Sequence, residues 1–138
     1  MTEEEIQLFI HLRDDYGYYL THFGFFDDPT TKAVYDAYFG EFKTVIIMEP
    51  NRGRIFDEIK YQIKKLNEVF DNKIIQDCVK SMKLQNMSRF IVVKHPMDLR
   101  GRGYSHLLVQ DGFQHQTDFD EIVAPVVYTN RTKFNIIP

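Results

Sequence analysis

Two Arg-Gly-Arg units punctuate this chain, Arg52-Gly53-Arg54 and Arg100-Gly101-Arg102. Glycine lets a backbone turn sharply and approach a ligand closely. A guanidinium beside it forks onto phosphate or carboxylate oxygens with paired hydrogen bonds. In the second stretch Lys94 and His95 join Arg100 and Arg102, and Tyr104 adds an aromatic face of the kind that stacks on a base. The candidate binding set is therefore Arg52, Arg54, Lys94, His95, Arg100, Arg102 and Tyr104, with nucleic acid or an acidic protein surface as the partner. Solvated loop arginines, or ion pairs with acids elsewhere in the fold, produce the same pattern. No groove-reading motif accompanies these residues, so contact with nucleic acid would be to its backbone and strongly salt-dependent.

Three other patterns carry metal-type chemistry on paper. His11, Asp15, Tyr18 and His22 fall on one stripe of a helix at about 100° per residue. His11 and His22 lie about 16 Å apart along such a helix, so one ion needs ligands from a second element. Asp28 with Glu41 and Lys43 has the order of metal-dependent nucleases, where two carboxylates hold Mg²⁺ and a lysine sits by the attacking water. The tripeptide recurs at Glu58-Ile59-Lys60 on a helical pattern, which shows how cheaply it arises. His115, Asp118, Asp120 and Glu121 form the third group, equally suited to the acidic start of a helix. Ser105 stands beside His106, and on a strand neighbours point to opposite faces, so this pair reads as no catalytic couple. No nucleophile elbow, phosphate-cradling glycine loop or dinucleotide fingerprint is found. No metal and no cofactor is assigned, and the chain reads as a binding protein rather than an enzyme.

Charge is segregated. Residues 1–50 sum to −7, residues 51–102 to +6 and residues 103–138 to −2, beneath a net charge of −3. Both Arg-Gly-Arg units lie in the basic middle, where a local field can exceed what the total suggests. The single cysteine, Cys78, excludes an internal disulfide and fits a reducing, cytoplasmic setting. It reads as a small buried residue on a helix. The acidic start Met1-Thr2-Glu3-Glu4-Glu5 is unlike a signal or transit peptide, and no apolar run approaches the ~20 residues of a membrane helix. Alanine occurs only at Ala33, Ala37 and Ala124, tryptophan is absent, and isoleucine, lysine and asparagine are frequent. Such usage suits an AT-rich source of the phage or mobile-element type.

The elements that must position these residues follow from periodicity. Ile6, Phe9, Leu12, Tyr16, Leu20 and Phe23 predict a helix over 3–23. Asp28-Pro29 opens a second helix, with Val34, Tyr35, Tyr38, Phe39 and Phe42 toward the core. Thr44 to Met48 is a short β-branched strand. Ile55, Phe56, Ile59, Ile63, Leu66, Val69 and Phe70 define a third helix, and Ile74, Ile75, Cys78, Val79 and Met82 suggest a fourth. Strands are expected at 89–93 and 105–110, joined as a hairpin through the 94–104 loop, with a turn at Asp111-Gly112. Thr117 would cap a helical turn through Ile122, and 124–130 and 132–138 read as two more strands or an extended tail. The expected fold is a single α+β domain, 1–138: about four N-terminal helices packed on a mostly antiparallel sheet formed largely by the C-terminal half.

The functional reading is a non-enzymatic binding protein with a basic central segment, such as a small accessory or inhibitor protein of a phage or mobile element. Two alternatives stand beside it. One is a structural subunit of a virion-like assembly, a homo- or hetero-oligomer in which the apolar tail 133–138 adds a strand to a neighbour. The other is a small metal-dependent hydrolase or nuclease.

Overall fold

The computed structural model describes residues 28–50, 53–100 and 103–138. The helix expected over 3–23, with its His11/Asp15/Tyr18/His22 stripe, lies outside the described residues, as do Arg52 and Arg102.

Asp28 caps helix α1 (Pro29–Phe39), its carboxylate accepting from the Thr30 N–H and the Thr31 hydroxyl. Proline follows in the first turn, where its missing N–H costs nothing. Strand β1 (Thr44–Met48) comes next, then α2 (Arg54–Asn67). Strands β2 (Ile74–Asp77), β3 (Ser81–Leu84) and β4 (Arg89–Val93) form an antiparallel run. A 3₁₀ turn (Pro96–Leu99) leads on to β5 (His106–Gln110), α3 (Phe119–Asn130) and β6 (Lys133–Ile137).

The six strands form one sheet in the order β2-β3-β4-β1-β5-β6. β1 pairs in parallel with β4 on one side and β5 on the other, and β5 pairs in parallel with β6. Val45, Ile46, Ile47 and Met48 are all fully buried, as a central parallel strand requires. Alternate residues feed two cores. Val45, Ile47, Phe90, Val92 and Leu108 pack with α1 and α2; Ile46, Met48, Val93, Leu107 and Val109 pack with α3 and the 3₁₀ turn.

These findings correct the expected fold in its helix count and its sheet. The described residues hold three helices, and the sheet is mixed, with the four strands β4, β1, β5 and β6 parallel. The expected fourth helix is the β2–β3 hairpin. Its apolar spacing is helical, yet Ile75 and Val79 are exposed, and burial falls on Met82 and Leu84 in strand alternation. Cys78 accordingly stands exposed beside the hairpin turn. β4 and β5 are not a hairpin, because β1 lies between them. Asp118, with φ 67°, rather than Thr117, precedes α3, which runs on to Asn130 through the expected strand. Pro125 removes one helix rung, but the apolar face of Phe119, Ile122 and Val123 holds the helix to the sheet. Phe42 is exposed, with φ 56°, outside the core that its spacing predicts for it.

The hairpin is tied to α1 through polar groups. Asn86 Nδ2 donates to the carbonyls of Ala37, Tyr38 and Gly40, and Asn72 Nδ2 donates to that of Tyr38. The last carbonyls of a helix have no partners within it, and these two amides supply them.

Candidate anion-binding rim

The chain leaves β1 by way of α2 on one face of the sheet and leaves β5 by way of α3 on the other. The connections diverge in opposite directions, toward β4 and toward β6. In open α/β sheets, ligands gather in the crevice outside the C-terminal strand ends at such a divergence. Glu49, Lys94 and Asp111 directly follow β1, β4 and β5 at this rim.

Glu49 is fully buried. Its N–H donates to the Val93 carbonyl at 3.2 Å, which pins the loop to β4. Oε1 accepts from the Ile55 N–H at 3.0 Å, and Oε2 accepts from the Phe56 N–H at 2.9 Å. Both are free N–H groups of the first turn of α2, the positive end of that helix. Burial pushes the Glu49 carboxyl above the ordinary carboxylate range, against the lowering pull of the Phe56 and Ile55 N–H groups. Asp57 raises it further and Arg54 lowers it. Gly53 makes room for this arrangement: a Cβ there would stand 2.1 Å from Glu49 Oε1.

Beside the end of β4 is a cleft of about 340 Å³ lined by Lys80, Ile91, Val92, Val93, Lys94, His95 and Asp98. The hairpin brings Lys80 here, its carbonyl accepting from the Val92 N–H. His95 and Asp98 belong to the 3₁₀ turn; the Asp98 carboxylate accepts from the His95 N–H, and His95 Nδ1 lies 3.3 Å from Gln116 Oε1. The salt bridges among the described residues are Lys60–Asp77, Lys65–Glu68, and Asp36 with His106 and Lys133. Lys80, Lys94, Arg54 and Arg100 take part in none of them.

Of the candidate binding residues, Lys94 and His95 thus share one cleft. Arg54 opens α2 on the adjoining loop and is exposed. Arg100 ends the 3₁₀ turn and is also exposed. From there the chain descends to the N-terminal end of β5, where the Ser105 N–H donates to the Thr44 carbonyl. Tyr104 is 5% exposed and packs in the second core with Ile46, Leu99 and Leu107; its hydroxyl has no partner among the described residues. Among the described residues, no three His, Cys, Asp or Glu side chains come together as a metal-ligand group. Asp28 is engaged as the α1 cap, away from a Glu41/Lys43 centre.

Two features of the rim escape a reading of the sequence by motif and period. Lys80 lies in a stretch whose spacing is helical, which hides its place beside Lys94. Glu49 belongs to neither Arg-Gly-Arg unit, and no motif of the sequence marks it. At the opposite end of the strands, His106 Nε2 lies 2.8 Å from Asp36 Oδ2 and His106 Nδ1 lies 3.2 Å from Ser105 Oγ. Ser105 precedes β5 rather than lying within it, so the pair expected on opposite faces is in contact. The Ser105 hydroxyl donates to the Thr44 carbonyl.

No protein-family description matches the chain, and no curated protein matches it. Solved structures do. The large terminase ATPase domain of Thermus phage P74-26 superposes with a TM-score of 0.63 at 16% identity, covering 78% of this chain and 52% of that one. A mutant of the same domain gives a TM-score of 0.63 at 15% identity, with the same coverage. The chain spans about half the length of these domains, and at this level of identity the likeness is one of fold.

Proposed function

We propose that this chain is a nucleic-acid-binding accessory protein of a phage or mobile element, engaging phosphates through the basic rim. The observation that carries the reading is the cleft beside the C-terminal end of β4 that Lys80, Lys94 and His95 line together with Asp98. Neither lysine has a carboxylate partner among the described residues, so their charge is available for phosphate oxygens. Arg54 and Arg100, exposed at the ends of neighbouring elements, extend the basic surface. The fold likeness to a phage terminase ATPase domain is consistent with a phage setting.

Fluorescence anisotropy with labelled duplex and single-stranded DNA, over a series of salt concentrations, tests this. The wild-type chain binds with an affinity that falls steeply with salt. Lys80→Ala with Lys94→Ala weakens binding and flattens the salt slope by about 0.9 for each duplex phosphate no longer neutralised. Arg100→Ala with Arg102→Ala does the same if the second Arg-Gly-Arg unit contributes. Salt-independent binding, or no binding at low salt, overturns the reading. Retention of a nuclease-insensitive protein partner from lysate points instead to an acidic protein surface.

A further inference from the structure

The cleft beside β4 has two kinds of lining. Lys80, from the turn between β2 and β3, and Lys94, directly after β4, bring cations from separate elements. Ile91 and Val93 also line it, on the sheet face that packs with the 3₁₀ turn, and Ile91 is only half-buried there. His95 and Asp98 complete the lining from that turn, and Met97 between them in the chain is 53% exposed. Phosphate gains nothing from the apolar part, and the Asp98 carboxylate repels it from the interior. A nucleobase suits the interior better, because its faces are apolar and its plane stacks on an imidazole.

We infer that the cleft takes one unstacked base of a single strand, while Lys80 and Lys94 hold the adjoining phosphates. This deepens the nucleic-acid reading of the same cleft and rests on it. The His95 ring is the stacking surface. It is exposed, and its orientation is set through Gln116: His95 Nδ1 lies 3.3 Å from Gln116 Oε1, and Gln116 Nε2 donates to the Phe113 carbonyl at 3.0 Å. Met97 adds apolar contact beside the ring. The volume of about 340 Å³ is that of a small ligand site, enough for one nucleotide unit. A duplex shows its phosphates but keeps its bases stacked and paired, and extruding one costs free energy. A single strand offers a base without that cost.

Three labelled probes of equal length test this by anisotropy at one moderate salt concentration: an oligothymidylate, a fully abasic strand and a duplex. The abasic strand keeps the phosphates and lacks the bases. Wild-type protein binds the oligothymidylate at least about fivefold tighter than the abasic strand, and tighter than the duplex despite the duplex's higher charge density. His95→Ala removes most of the preference for the strand with bases, and His95→Phe, which keeps a flat ring, retains it. Met97→Ala reduces the preference and leaves the salt slope unchanged. Equal affinity for the two strands, or tighter binding of the duplex, overturns this inference and leaves phosphate contact by the basic rim standing. Absence of salt-dependent binding to all three probes removes the nucleic-acid reading and this inference with it.

Discussion

The Asp36 carboxylate on α1 meets the His106 imidazole at the start of β5, Oδ2 to Nε2, at 2.8 Å, with both residues almost fully enclosed. Lys133 Nζ at the start of β6 approaches the same oxygen at 3.2 Å. One carboxylate thus joins a helix to two parallel strands. Burial alone would push the Asp36 carboxyl up. The hydrogen bond and charge of His106, with those of Lys133, outweigh it and hold the group below the ordinary aspartate range. A depressed carboxylate contributes stability that is complete above its unfolded value and is lost as pH falls through the folded one. Asp36→Asn therefore lowers stability at neutral pH and leaves a shallower loss on acidification. Urea melts from neutrality into the acid range measure both; parallel acid limbs for the two proteins would count against this role.

Gly53→Ala tests the packing at the α2 N-terminus. The added methyl collides with a carboxylate that cannot retreat into solvent, so a destabilisation of about 1–3 kcal/mol is expected, the usual range for overpacking. Chemical denaturation gives the value. A neutral substitution would mean that Glu49 has room to move aside.

Tyr104 offers the opposite change. Its hydroxyl is buried without a partner among the described residues, and leaving such a group unsatisfied costs about 1–3 kcal/mol. Tyr104→Phe should raise the melting temperature while nucleic-acid affinity stays at the wild-type level. A lowered melting temperature would reveal a partner for the hydroxyl.

Asn86→Ala removes one amide from three carbonyls at the end of α1. A destabilisation of about 1–3 kcal/mol follows from leaving those acceptors unpaired. Amide exchange should speed up in the hairpin and the last turn of α1 before it does so in β1. Uniform acceleration would mean that the hairpin is not anchored there.

Cys78 is exposed beside the hairpin turn. A thiol reagent should modify it in the native protein at a rate insensitive to mild denaturant. Protection until global unfolding would restore the buried placement that its apolar neighbours suggest.

Local signals in the sequence carried well where chemistry and periodicity agreed. Asp28-Pro29 as a helix start, the apolar face from Ile55 to Leu66 and the β-branched run Thr44 to Met48 all stand as expected. They failed where two periods compete. Ile74, Ile75, Cys78, Val79 and Met82 satisfy a helical spacing, but the edge of a sheet accepts exposed isoleucine and valine, and the polar ties of Asn72 and Asn86 favour the hairpin. Strand direction is invisible to periodicity altogether. The 94–104 connection reads as a hairpin loop until β1 is found between the strands it joins. The clustering of Lys94 with His95 was legible because they are adjacent in the chain; that of Lys80 depended on the sheet.

The central position of β1 also bears on synthesis. Thr44–Met48 emerges from the ribosome well before either neighbour, since its partners lie at Arg89–Val93 and His106–Gln110. Until both are made, this apolar strand has two unsatisfied edges, and such non-local pairing is slow to form. Nascent chains that stall before Gln110 should therefore be captured by holdase chaperones, and release should coincide with the appearance of β5.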